Sequence, residues 1–183
     1  MFQIQTMSCE KIIANDEIHN QIFVILQLKH IKTGKLITVV CLHLKSKAIN
    51  HERREIQIRA ILESVSLHCS CLNIHEHPIF MCGDFNGSPD ENFYNLIVND
   101  PKIKNLKDAY SIVVDKKEPT TIKIRDSIFL RREIDYIFFN TKAIELCSYL
   151  KLPVNNELIE SEGLPNPTYS SDHLSLVCDF KFI

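Results

Sequence analysis

Two runs rich in β-branched residues, 22–29 and 36–44, flank the hexapeptide HIKTGK, whose Thr33-Gly34 predicts a hairpin turn. Farther on the apolar period lengthens. Ile58, Leu62, Val65 and Cys69 share one face of a helix expected over about 50–71. The run at 78–83 returns to strand character. Ser88, Pro89 and Glu91 then predict a helix start: serine as N-cap, proline in the first turn and glutamate completing a capping box. After a more polar stretch, EIDYIFF (133–139) and AIELCSYLKL (143–152) predict strands, and LSLVCDFKF (174–182) alternates as a closing strand. No repeat, heptad or linker interrupts the pattern, so residues 1–183 form one unit of layered α/β class.

At 183 residues the chain has the size of one domain or of part of a larger one, and 45% hydrophobic residues suffice for a core. A net charge of −2 excludes a global positive field for nucleic acid, so any polyanion must meet a local patch. The seven cysteines are scattered, several within apolar runs (Cys41, Cys82, Cys178), which predicts reduced thiols in a cytoplasmic protein. The opening MFQIQTMSCEKII lacks a secretory pattern, and the apolar run at 22–26 is too short to span a membrane.

The chemistry concentrates in IFMCGDFNGSPDENF, residues 79–93. A strand extended through residue 86 would put Asp84 and Asn86 on one face, with Phe85 turned into the core. The carboxylate could orient or deprotonate a water, and the amide could donate to charge developing on a phosphoryl oxygen. On this segment alone, a turn that ends a strand explains the residues equally well. Two further segments tip the balance. Asp135 lies in an apolar strand, where an unpaired carboxylate is expensive, and Asp172-His173 sits in a polar turn before a strand. A histidine oriented by a carboxylate can stabilise or protonate a phosphoester, with Asp135 as the candidate orienter.

GDFN, IDYIF and SDH, in that order and each at a strand edge, resemble the endonuclease/exonuclease/phosphatase superfamily. LPNPTYSSDHLSLVCDF, CLHLKSK, ERREIQIRAILESV and EPTTIKIRD narrow the resemblance to its nocturnin and deadenylase branch, from about residue 20 to 183. SDHLSLVCDF in particular favours that branch over apurinic endonucleases or sphingomyelinase-type phosphodiesterases. The resemblance implies that Asp84 activates water, Asn86 steadies the pentavalent phosphorane, and His173 binds the same phosphate with Asp135 behind it. It places Asp172 near a metal, His43 and Lys45 on phosphate, and Asn20 at the mouth of the site. Lys47 stands where the branch has arginine, losing the bidentate fork. Lys123 and Arg125 match a phosphate-gripping KIR. Implied with these are a Mg²⁺ cofactor and an adenylate substrate, either the 2′-phosphate of NADP(H) or the 3′ end of poly(A) RNA, with no membrane partner.

One family feature is missing. The branch takes its main metal ligand from a glutamate well before the first hairpin, and neither Glu10 nor Glu17 matches it. The chain therefore corresponds to roughly the C-terminal half of the superfamily's α/β sandwich, as a fragment of a longer protein or a truncated, non-catalytic adenylate- or RNA-binding paralogue. Such a half would leave apolar faces and strand edges uncovered. Three other signals carry no expectation of function. Cys69, Cys71, His75 and His77 crowd one loop too tightly for a structural zinc site, NGS at 86–88 lies inside the candidate catalytic motif, and HERRE at 51–55 reads as the solvated start of a helix.

Overall fold

The computed structural model describes residues 1–14, 17–113, 118–125, 128–154 and 157–183. Its centre is a six-stranded sheet in the order β1-β2-β3-β4-β8-β5. These strands are β1 (Phe2–Ala14), β2 (Glu17–His30), β3 (Leu36–His43), β4 (Ile79–Asp84), β5 (Leu106–Asp108) and β8 (Asp135–Asn140). The expected hairpin joins β2 to β3: the Gly34 N–H donates to the His30 carbonyl at 2.8 Å, and Gly34 takes φ 71°. The β3–β4 pairing is parallel, with helix α1 (His51–His68) in the crossover, and β4 pairs antiparallel to β8.

The period of two divides this sheet into two faces. One face buries Phe23, Ile25, Val40, Leu42 and Met81 against Ile58, Ile61, Leu62 and Val65 of α1, with α2 (Asn92–Val98) alongside. On the other face Phe80 and Phe139 meet Phe180 at ring-centroid distances of 4.9 and 5.0 Å. Phe180 belongs to a second, two-stranded sheet of β9 (Ile144–Tyr149) and β10 (Cys178–Phe182). A further pair, β6 (Thr121–Arg125) and β7 (Ile128–Arg132), stands at the end of the sheet that carries Asp84. Short helices α3 (Ala109–Val113) and α4 (Glu157–Glu162) complete the chain.

Four sequence expectations need correction. The closing strand begins at Cys178, four residues later than the alternation suggests, because Leu174 is pulled aside by its N–H bond to the Thr120 carbonyl. Ser88 does not cap a helix: α2 starts at Asn92 with Glu91 in the N-cap position and no side-chain cap. Glu91 is engaged elsewhere, by Arg54, whose Nε and Nη2 each donate to its carboxylate at 2.7 Å. Arg54 is accordingly fully buried rather than part of a solvated helix start, and its Nη1 also holds the carbonyls of Lys45 and Lys47. Residues 2–14, for which the sequence pattern offered no element, form an edge strand on β2.

Candidate active site

Register builds the site. His43 on β3 stands opposite Asp84 on β4, and Asp84 stands opposite Asp135 on β8, so the three form one transverse row at the sheet's end. They lie on the face that carries β9 and β10, since Phe80 and Ile137 follow the same alternation. His173 reaches the row from the last segment, tethered by a bridge to Thr121. Ligand atoms of Asp84, Asp135 and His173 all lie within 4.8 Å of one another, forming a group that could hold a metal ion.

Each member is fixed by named partners. His173 Nδ1 donates to Asp135 Oδ2 at 2.9 Å, which leaves Nε2 turned to Asp84 Oδ2 at 4.0 Å. The Thr120 hydroxyl donates to Asp135 Oδ2 at 2.6 Å and accepts the N–H groups of Ile134 and Asp135. Asp84 accepts the Asn86 N–H at 2.7 Å and stands 3.5 Å from His43 Nε2. The electrostatics follow from this packing. Burial, reinforced by the neighbouring Asp135 charge, pushes the Asp84 carboxyl above its ordinary range. The hydrogen bond to Asp135 holds the His173 imidazole above its ordinary value despite the opposing effect of burial.

β4 ends at Asp84, and Asn86 takes φ 54°, so the strand does not stay extended through 86 as the sequence suggested. The loop turns sharply instead and buries Phe85 among Phe93, Tyr136 and Phe138. Asn86 is 7% exposed and its amide donates to the Leu44 carbonyl at 3.0 Å, one of the two N–H bonds that group can make. Arg132 and the Tyr136 hydroxyl secure the turn by donating to the carbonyls of Asn86 and Gly87. Two glycines make this possible. Gly83 has φ 143° with the Leu42 carbonyl 1.9 Å from any added Cβ, and at Gly87 a Cβ would meet Phe93 at 2.6 Å.

The remaining candidates fall into two groups. Asn20 and Lys45 line a polar cavity of about 100 Å³, with Arg53 on its wall. Lys47 is exposed with φ 76°. Across the site, Lys123 binds Asp172 at 2.5 Å, holding that carboxyl below its usual range. Asp172 is thus engaged by a lysine and stands outside the Asp84–Asp135–His173 group. Arg125 lies at the end of β6, and its side chain is outside the described residues. Cys69 and His77, set aside as zinc ligands, both meet the Thr38 hydroxyl, the histidine at 2.9 Å.

Thr120 and Gln57 are supporting residues that sequence reasoning missed. Buried Gln57 accepts the Lys45 N–H at 3.0 Å and donates to Gln21 at 2.8 Å, tying α1 to β2 and to the segment after β3. Thr120 lay within the EPTTIKIRD motif, so its position was visible while its role was not. Among the described residues no helix is long and apolar enough to cross a membrane.

No family model matches the chain. Among curated proteins it is 34% identical over 170 residues to nocturnin of Rattus norvegicus, covering 89% of this chain and 38% of that protein. The same identity holds over 167 residues of nocturnin from Homo sapiens, and human 2′,5′-phosphodiesterase 12 is 26% identical over 166 residues, 27% of its length. The structure superposes on the human nocturnin catalytic domain, solved with a bound sulfate anion, at TM-score 0.80 and 26% identity, covering all of this chain and 60% of that one. ANGEL2, a 2′,3′-cyclic phosphatase solved with adenosine-2′,3′-vanadate, shares the fold at TM-score 0.70 and 21% identity, with 98% and 67% of the two chains covered.

Proposed function

Because the chain is a nocturnin-like member of the endonuclease/exonuclease/phosphatase superfamily and spans part of that domain, we propose that it carries the water-activating half of a Mg²⁺-dependent phosphoester hydrolase for adenylate substrates. The substrates that fit are the 2′-phosphate of NADP(H) and the 3′ end of poly(A) RNA. Each presents a phosphoester beside an adenosine. The observation that carries this reading is the transverse row of His43, Asp84 and Asp135 with His173 hydrogen-bonded to Asp135.

Asp84 orients the attacking water and receives its proton, for which a carboxyl raised toward neutral pH is better matched than an ordinary one. His173, protonated and held by Asp135, donates through Nε2 to a phosphoryl oxygen. The Asn86 amide donates to the same phosphate, and His43, Lys45, Lys47, Lys123 and Arg125 grip it or its neighbours along the chain. Asp84 and Asp135 offer the hard oxygens a divalent ion prefers, though Asp135 is already shared between Thr120 and His173, so the set fits an ion only with further ligands. When bound, that ion supplies Lewis-acid stabilisation of charge on the phosphoryl group.

Asp84→Asn tests the assignment, with phosphate release from NADP(H) and trimming of oligo(A) measured in parallel. The expected loss is at least about 10²-fold with the fold intact by circular dichroism. Equal turnover in both proteins overturns the reading. A second reading, binding without turnover, is supported by the small donor set: among the described residues the metal-capable group has three members. It predicts NADP(H) or oligo(A) binding that EDTA leaves unchanged.

A further inference from the structure

One row back from His43, Asp84 and Asp135, the same face of the sheet carries Cys41 opposite Cys82 and Cys82 opposite Ile137. We propose that Cys41 and Cys82 form a peroxide-responsive thiol pair that closes to a disulfide directly beneath the candidate active site. The two sulfurs lie 3.8 Å apart. In-register residues on neighbouring strands have Cα atoms about 4.8 Å apart, inside the range of roughly 4.4–6.8 Å that a disulfide bridges. Closure therefore needs side-chain rotation, with the backbone register unchanged.

The two thiols differ in ways that assign them roles. Cys41 is exposed and Cys82 is half-buried. Cys41 is then the attacking thiolate and Cys82 the resolving thiol. The Cys41 sulfur forms a bond to one peroxide oxygen, the O–O bond breaks, and hydroxide leaves and takes up a proton as water. The Cys82 sulfur next attacks the Cys41 sulfenic acid. A second water departs with the Cys82 proton, and the disulfide forms. Two thiols and one hydrogen peroxide give one disulfide and two waters, with two electrons passing from sulfur to oxygen.

The other exposed cysteines lack this arrangement. Cys9 shares the transverse row but is separated from Cys41 by Val24 on β2. Cys71 lies in the loop after α1, and Cys147 faces outward from β9 with its sulfur 3.9 Å from the Glu145 carbonyl.

The test treats the reduced 183-residue chain with one equivalent of hydrogen peroxide at neutral pH, alkylates what remains, and maps peptides without reduction. The expected result is the loss of two of the seven thiols. It appears as a single linked peptide pair, 41 to 82, lighter by two hydrogens and reopened by dithiothreitol. Cys82→Ser should instead accumulate at residue 41 a sulfenic acid that dimedone traps. The double variant Cys41→Ser, Cys82→Ser should keep its remaining thiols under the same dose. Oxidation spread over Cys9, Cys71 and Cys147, disulfides between chains, or no thiol loss at this dose would each overturn the proposal.

Discussion

Thr120 shows how far a single hydroxyl can govern the site. It donates to Asp135 and accepts from the backbone at 134 and 135, so the carboxylate that orients His173 is itself oriented. Thr120→Val should lower kcat by about tenfold while leaving Tm within a few degrees, since outer partners of this kind typically contribute 10–100-fold. Steady-state kinetics with a thermal melt checks it. The pH profile of kcat/KM should be bell-shaped. Its acid limb reports Asp84 losing a proton, above the ordinary carboxylate range because of burial. Its alkaline limb reports His173 losing its proton, above the ordinary imidazole range because of Asp135. Asp135→Asn removes that hydrogen-bonded charge and should draw the alkaline limb down. An unmoved limb would deny the pairing its role. The same shift makes a stability statement: the imidazolium's contribution is fully present below about pH 6.5 and is lost as pH rises through the raised folded value.

Among elements, the turn after β4 depends on a buried ion pair. Arg54 is fully buried and holds Glu91 together with the carbonyls of Lys45 and Lys47, so α1, α2 and the segment 45–47 meet at one guanidinium. Glu91→Ala leaves that charge unpaired and should destabilise the fold by about 3–5 kcal/mol in urea unfolding. A loss under about 1 kcal/mol would mean the carbonyls alone suffice. This pair also explains a misreading. Ser88 and Glu91 carry the letters of a capping box, but the glutamate's partner arrives from 37 residues earlier in the chain, and local spacing cannot register it. The core face of α1 was legible because a period near 3.6 needs no distant information. β1 was not: among its residues only Ile12 is buried, so it shows little of the alternation that marks a half-buried strand.

At the scale of the molecule, β9 and β10 cover only part of one sheet face. Met7 on β1 and Ile22 on β2 are 68% and 51% exposed on that face, and β1 is the sheet's edge. The chain spans 60% of the nocturnin catalytic domain it superposes on, which accords with a face left open. The isolated 183-residue chain should therefore bind an apolar dye and self-associate in sedimentation experiments. Met7→Lys combined with Ile22→Lys should reduce both without lowering helix content. A monodisperse, dye-silent wild type would contradict this. The layered α/β class was legible in the sequence, and so were the candidate residues Asp84, Asp135 and His173 that the fold brings together, because GDFN, IDYIF and SDH each carry their chemistry within a few letters. The roles of Thr120, Gln57 and Arg54 were hidden, because each depends on where a remote backbone group arrives.

The transverse row has a consequence for what such a chain can tolerate. Its members come from three strands, joined by connections that run through 44–78 and 85–134, yet only lateral alignment brings them together. Added length at an exposed loop tip of those connections is nearly free energetically, since loop-closure cost grows only logarithmically, whereas α1 and the segments holding Asn86 and Thr120 keep fixed positions. One residue inserted within 79–84 or 135–140 is different, because it turns a carboxylate to the opposite side of the sheet. Catalytic competence in this architecture would then be guarded by pairing parity: additions at exposed loop tips such as 70–76 pass unnoticed, and a single codon within the strands silences the site.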